Sequence, residues 1–250
     1  MPEWLYVRPE AVLFAVAAAL YVHDMATRLF ANEIVFCRSG RGAWIAKTAT
    51  RYPEFGQRYL AVVRPWRPDT TVLRATWPRT VDSETSGRLL LLDTVADVED
   101  RLRFLRYQCT PLLFTLFLGL PCAQAFYGPT ALLIGIAVVY LQAFVMMGSL
   151  VMKRSGLGLP WRSIGFILFE SLVCIPYAIN LYRKVADRLL PSDADPIDFA
   201  AALLDAQGAE ALRQEILKSI DERMAMANAD GAKQERLLKY RDRLLEQGAA

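Results

Sequence analysis

The sequence predicts an integral membrane α-helical protein with three or four hydrophobic helices, a small inserted α+β cytoplasmic domain and a C-terminal helical region. The residue types AVILMFWYC make up 54% of the 250 residues and charged residues only 22%, whereas soluble domains are roughly 45–50% apolar. The apolar residues are concentrated in four stretches that polar segments separate. This composition excludes intrinsic disorder and disulfide-rich secreted scaffolds.

The first hydrophobic stretch lies at residues 11–22 and is predicted to form an N-terminal membrane anchor helix within residues 1–25. A cleaved secretory signal with a cut after Ala31 is an alternative interpretation. Glu3 and Glu10, however, lie where a signal peptide is normally basic. We therefore favour a retained helix.

The main membrane region is predicted at residues 108–182. It begins with a helical hairpin, 108–152, whose second arm carries no charged residue. A helix needs roughly 20 residues to cross a 30 Å hydrocarbon core. The fourth stretch, 163–182, also reaches this length, although Pro176 interrupts it.

Lysine and arginine near the helix ends predict the orientation, because cytoplasmic loops of membrane proteins are enriched in both. The basic residues beside these segments are Arg101, Arg103, Arg106, Lys153, Arg154, Arg162, Arg183, Lys184 and Arg188. The first six place both ends of the hairpin in the cytoplasm and predict a multi-pass protein of the cell inner (plasma) membrane. Four full crossings would leave the C-terminus outside, whereas the last three favour the inside. Either 163–182 is re-entrant or interfacial, or the C-terminal region is external; we favour a cytoplasmic C-terminus.

Residues 26–107 are predicted to form a cytoplasmic domain of two β-hairpins and an amphipathic helix. The hairpins have their turns at 39–42 and 65–69, where Gly or Pro-Asp clusters separate runs of β-branched and aromatic residues. The helix, 87–107, repeats apolar residues at steps of three and four. It would cover a sheet that is too small to fold alone.

Residues 183–250 are predicted to form charged soluble helices. Asp195 and Pro196 are a typical N-cap and first-turn pair, and Gly208 is expected to end that first helix. Two further helices should follow, the last within 232–247. We expect these helices to pack with each other or with a partner protein.

A polar stripe in the fourth stretch is the most informative candidate site. On one continuous helix, Ser163, Glu170, Cys174 and Tyr177 lie on or near one face. A charge in the membrane usually faces a bundle interior or a cavity. The stripe is either a proton- or ion-handling site or a polar packing contact. We favour packing, because no second acid, lysine or histidine is evident in the membrane to form a relay.

Small residues recur on the first helix. Ala11, Ala15, Ala19 and His23 follow each other at four-residue steps. Such a seam lets two helices approach closely. It predicts assembly of the helix with another helix, from this chain or from a partner.

Basic residues near the membrane segments are candidate contacts for anionic lipid headgroups, since each Lys or Arg at such a surface contributes about 1 kcal/mol. The candidates are Arg38, Arg41, Arg64, Arg67, Arg101, Arg103, Arg106, Lys153 and Arg154. We do not expect nucleic acid as a partner, because the net charge is only +3.

The sequence contains no complete catalytic motif. It has one histidine and no Walker, HExxH or GxSxG pattern, and its four cysteines lack metal-site spacing. We therefore expect no enzyme activity, cofactor or metal. The predicted function is a non-catalytic integral membrane subunit or scaffold that assembles with partner proteins or with itself. The alternatives are a small ion or proton channel, transporter or membrane-permeabilising effector that uses Glu170, and, third, a lipid-modifying enzyme.

Overall fold

The computed structural model describes residues 9–39, 42–56, 58–78, 87–190, 195–226 and 231–247. The chain divides into two compact units, each made from three separate segments. Unit 1 contains Met1–Thr27, Val62–Thr70 and Val98–Leu189; unit 2 contains Arg28–Ala61, Thr71–Asp97 and Leu190–Ala250.

Helices form most of the described part of the chain. They are α1 (Pro9–Met25), α2 (Gly87–Arg101), α3 (Arg103–Phe114), α4 (Leu120–Tyr127), α5 (Pro129–Leu157), α6 (Trp161–Val173), α7 (Ile175–Ala178), α8 (Leu181–Leu189), α9 (Pro196–Leu203), α10 (Ala206–Met226) and α11 (Gly231–Gln247). The strands are β1 (Thr27–Leu29), β2 (Glu33–Arg38), β3 (Trp44–Thr48), β4 (Glu54–Phe55), β5 (Arg58–Ala61) and β6 (Val72–Thr76).

Among the residues that the structure describes, two helices of unit 1 are long and apolar enough to cross a membrane. One is Arg103–Tyr127, in which a π turn at Thr115–Gly119 joins α3 to α4; the other is α5. Pro121 has no N–H to donate to the Phe117 carbonyl, which accounts for the locally widened helix. The structure thus confirms the coarse part of the predicted fold class: a mainly helical chain with two such helices and small sheets.

The two long helices pack side by side along one face of α5. The buried residues on α5 lie on one side of the helix: Val139, Ala143, Met146, Met147, Leu150 and Leu157. Gly135 lies directly against the Leu120 side chain, and the Gln142 amide donates a 3.4 Å hydrogen bond to the Thr115 hydroxyl. The other faces of this hairpin stay exposed, and their side chains are mostly apolar.

The fourth hydrophobic stretch is not the continuous helix that the sequence analysis assumed. Helix α6 ends at Val173, and Cys174 has an extended backbone with φ −132° and ψ 93°. Pro176 explains the break, because it offers no N–H to the carbonyl one turn earlier. After the single turn of α7, α8 follows as a separate helix.

In the described part of unit 2, the strands form two three-stranded sheets, in the orders β1-β5-β4 and β3-β2-β6. The first predicted hairpin is confirmed: β2 and β3 pair antiparallel, with Arg38 opposite Trp44. The second predicted hairpin is wrong, since β5 lies in one sheet and β6 pairs with β2 in the other. Residues 62–70 between them contain two prolines and the positive φ of Arg64, which do not suit a strand ladder.

Helices α9 and α10 pack on the β3-β2-β6 sheet. Phe199 of α9 packs on Phe36 of β2, with ring centroids 5.4 Å apart, and both side chains are fully buried. Asp195 is the predicted N-cap, and its Oδ1 accepts a 2.8 Å hydrogen bond from the Ile197 N–H. The predicted stop at Gly208 is wrong. Gly208 lies in the first turn of α10, where its N–H donates to Asp205 Oδ1 at 2.8 Å.

The predicted helix 87–107 is interrupted. Leu102, with φ −92° and ψ 3°, separates α2 from α3. Helix α3 then continues past residue 107 into the long hydrophobic hairpin.

Candidate functional site

Glu170 lies in a charged cluster within unit 1. The Lys184 ammonium is 3.1 Å from Glu170 Oε2 and 2.8 Å from Asp24 Oδ1. The side chains are largely buried, with 18% of Lys184, 10% of Asp24 and 31% of Glu170 exposed. One cation thus bridges two carboxylates from α1 and α6, and we call Asp24, Glu170 and Lys184 the ion triad.

Two further residues complete the surroundings of the triad. The Asn180 amide, which is fully buried, donates to Asp24 Oδ2 at 2.9 Å. The Tyr177 ring lies 4.8 Å from the Lys184 ammonium, within the range of a cation–π contact. The triad carries a formal charge of −1, and these contacts hold each of its charged groups in one position.

Patterns in the sequence did not indicate the partners of Glu170. No second acid, lysine or histidine was expected beside Glu170 in the predicted membrane segments, whereas the fold brings Asp24 from the end of α1 and Lys184 from α8. Lys184 was visible only as a basic residue after the fourth stretch. Asp24 is 146 positions from Glu170, so no local spacing could have indicated the pair.

The predicted polar stripe does not form a single line of side chains. Of its members, Glu170 and Tyr177 both contact Lys184. The backbone carbonyl of Ser163 accepts a 3.0 Å hydrogen bond from Arg188, which is outside the ion triad. Cys174 lies at the break between α6 and α7, with its thiol partly exposed.

The predicted seam on α1 is exposed along its length. Ala11, Ala15, Ala19 and His23 all lie on the outer surface of unit 1. The buried face of α1 is the other one, where Tyr21 contacts Phe117 at a ring distance of 5.6 Å and is 4% exposed. The seam is therefore not buried by any of this chain's described helices.

The residues predicted to contact headgroups have different surroundings in the structure. Arg103, Lys153 and Arg154 stack on aromatic rings near one end of the long helices: Tyr107 at 5.7 Å, Phe104 at 4.3 Å and Trp161 at 4.1 Å, respectively. Arg101 donates to the nearby Gly156 carbonyl at 3.3 Å. Arg106 and Arg67 pair with the buried Asp69 at 2.9 and 3.4 Å. Arg38 lies over Trp44 at 5.4 Å, Arg64 is half-buried, and Arg41 is outside the described residues.

Chemically, the ion triad can hold α1, α6 and α8 together or exchange a proton. Within the described ranges, no group of three His, Cys, Asp or Glu side chains is arranged to hold a metal ion. Comparisons of the chain with family models, curated proteins and solved structures found no match.

Proposed function

We propose that the protein is a non-catalytic subunit or scaffold of an inner-membrane assembly, which contacts partner proteins or a second copy through α1. In this proposal α1 joins the two long helices in the membrane, unit 2 is water-exposed, and the basic residues beside the helices contact anionic headgroups. No cofactor is required.

The observation that carries the proposal is the exposed apolar surface of the two long helices. In the most apolar 18-residue stretch of each helix, only 28% of Arg103–Tyr127 and 22% of α5 is buried. The core helix of a soluble protein would be mostly buried. The exposed large side chains include Leu118, Phe126, Leu133, Ile134, Leu141 and Phe144. Surfaces of this kind indicate contact with lipid or another protein.

The aromatic and basic residues at the helix ends support membrane embedding. Tyr107 and Tyr127 are 20 residues apart on one long helix, which corresponds to about 30 Å, the thickness of a hydrocarbon core. Tyrosine favours both membrane interfaces. The end with Tyr107 also carries Lys153 and Arg154, which suits anionic headgroups.

The exposed seam supports assembly with a partner. On α1, Leu13 and Ala15 are both exposed but point about 160° apart. Ala15→Trp places a large ring in the seam, and Leu13→Trp is the matched control on another face.

The test is purification of full-length protein in mild detergent after carbonate washing of the membranes. We expect the protein in the membrane pellet and a discrete complex, either a homo-oligomer or a defined partner, by native mass spectrometry. Ala15→Trp should dissociate the complex, while Leu13→Trp should leave it intact. A monomer in every mild detergent, or equal behaviour of both variants, would contradict the proposal.

A channel or proton transporter that uses Glu170 is the second candidate. The ion triad favours this candidate, because a proton relay requires further charged groups and Asp24 and Lys184 lie beside Glu170. Purified protein in liposomes should then conduct protons or monovalent ions, and Glu170→Gln should change the flux. Unchanged flux in this variant would eliminate the candidate.

A further inference from the structure

Unit 2 contains chain segments that come before the long hairpin in the sequence and a segment that comes after it. Phe36 of β2 and Phe199 of α9 share one buried core, and the Thr48 hydroxyl donates a 2.7 Å hydrogen bond to Glu215 of α10. A lipid bilayer cannot separate residues that share a core. The chain at residue 190 must therefore lie on the same side of the membrane as residues 28–61 and 71–97.

This condition limits how often the chain can cross between residues 97 and 190. The two long helices account for one crossing each and return the chain to its starting side after α5. A further crossing by residues 161–189 would place residue 190 on the opposite side. The segment consequently makes no net crossing, and it begins and ends at the same face of the membrane.

The geometry of the segment agrees with this count. Helix α6 has 13 residues, about 20 Å, which is too short for a hydrocarbon core of about 30 Å. Two contacts show that α8 runs back along α6. Lys184, near the start of α8, contacts Glu170 near the end of α6, and Arg188, near the end of α8, contacts the Ser163 carbonyl near the start of α6.

We infer that α6, α7 and α8 form a re-entrant hairpin whose exposed α6 face contacts the acyl chains of a single leaflet. That face consists of Phe166, Phe169, Leu172 and Val173, with exposures from 41% to 68%. The leaflet is the one beside Lys153, Arg154 and Arg162, because α6 starts there. The inference rests on the proposed membrane embedding and resolves the conflict between four hydrophobic stretches and the basic residues after the fourth.

The ion triad has a defined place in this arrangement. Lys184 connects the inner part of the hairpin to Asp24 at the end of α1. The Lys184 ammonium is paired with both carboxylates near the turn of the hairpin, so that α8 does not expose an unpaired ammonium to lipid. The same contacts keep a broken helix docked in one position.

Cysteine labelling of the full-length protein in native membranes tests the inference. The four native cysteines are replaced by serine or alanine, and single cysteines are introduced at the exposed positions Glu54, Thr130 and Gln207. A membrane-impermeant maleimide is applied to spheroplasts and to inverted vesicles. We expect positions 54 and 207 to react together in inverted vesicles, and position 130 to react in spheroplasts.

Labelling of position 207 from the same side of the membrane as position 130, and not from the side of position 54, would overturn the inference. Reaction of all three on one side would overturn the two crossings on which it depends. Release of the protein by carbonate would instead refute the proposed membrane function, so that the two failures are distinguishable.

A second measurement addresses the contact with lipid. A spin label at Phe169 should be accessible to oxygen and protected from a water-soluble nickel complex, whereas a label at Arg162 should be accessible to the nickel complex. Equal access of the nickel complex to both positions would overturn the single-leaflet contact.

Discussion

Thr48 and Glu215 are separated by 167 positions in the sequence, yet the Thr48 hydroxyl donates a 2.7 Å hydrogen bond to the Glu215 carboxylate. Arg51 donates to the same carboxylate through Nε at 2.9 Å and through its terminal nitrogen at 3.2 Å. These bonds fasten α10 to the end of β3. They join the chain segment before the long hairpin to the segment after it.

Glu215→Gln should weaken this connection by about 1–2 kcal/mol, because hydrogen bonds to a charged group contribute about 1.5–3 kcal/mol and the solvent exposure of Arg51 lowers this contribution. Hydrogen–deuterium exchange of the full-length protein should show faster exchange in peptides from β3 and α10. Glu222→Gln is the control, because Glu222 is exposed and lies 3.9 Å from Lys218. Equal effects of the two variants would contradict the assigned role.

The pKa of the Glu215 carboxylate predicts that unit 2 loses stability in acid. Burial works to raise the pKa of Glu215, but the hydrogen bonds from Arg51 and Thr48 outweigh it and lower the pKa below its usual value. Its contribution is therefore complete above the unfolded pKa of about 4.3 and is lost as the pH falls through the folded pKa. Protection of β3 should decrease in this range in the wild type and less so in Glu215→Gln.

Asp195 should have the opposite dependence on pH. Burial raises its pKa, although the Ile197 N–H, the Tyr240 hydroxyl and Arg243 partly oppose the increase. The folded state then binds a proton more readily than the unfolded state, so that stability decreases as the pH rises from about 3.9 through the folded pKa. Asp195→Asn should remove this dependence while it keeps an oxygen for the cap, as measured by exchange in α9 between pH 4 and 7.

Asp195→Ala should be far more harmful than the asparagine variant. It removes the N-cap, at a cost of about 1 kcal/mol, and leaves the Tyr240 hydroxyl, which now contacts Asp195 at 3.0 Å, without its acceptor. An unsatisfied buried group costs a further 1–3 kcal/mol approximately. Similar exchange in α9 for both variants at pH 7 would show that neither bond stabilises unit 2.

Lys184→Met should destabilise unit 1 by on the order of 3 kcal/mol, because it leaves two carboxylates facing each other in a largely buried position. Thermal unfolding in detergent measures the effect, and Lys184→Arg should restore much of the loss. Lys239→Met is the control, since its 2.8 Å pair with Glu235 is exposed and should contribute less than about 1 kcal/mol. An unfolding temperature near that of the wild type would contradict the bridging role.

Two glycines of α5 allow a test of the hairpin packing. A Cβ at Gly135 would overlap the buried Leu120 side chain, whereas a Cβ at Gly148 meets open space. Gly148→Ala should be neutral or stabilising by up to about 1 kcal/mol. Gly135→Ala should be less stable than Gly148→Ala by about 1–3 kcal/mol, as measured by thermal unfolding. When both variants also carry Leu120→Ala, most of this difference between them should disappear.

Local patterns in the sequence were sufficient for several elements. Hydrophobic run length predicted the hairpin of long helices, a glycine turn between β-branched runs predicted the pairing of β2 with β3, and the Asp195-Pro196 pair predicted the start of α9. Each depends on residues that are close in the chain. Their physical causes are hydrogen bonding within a helix, turn geometry and capping, which act over a few positions.

Tertiary structure alone decided the contacts between distant segments. β6 pairs with β2 instead of β5, and Glu170 meets Asp24 through Lys184. The common core of β2 and α9 likewise joins segments on either side of the hairpin. The sequence determined which stretches are apolar and how long they are, since this follows from side-chain chemistry. It could not determine which stretches meet, because that depends on how whole surfaces fit and on which buried charges find a partner.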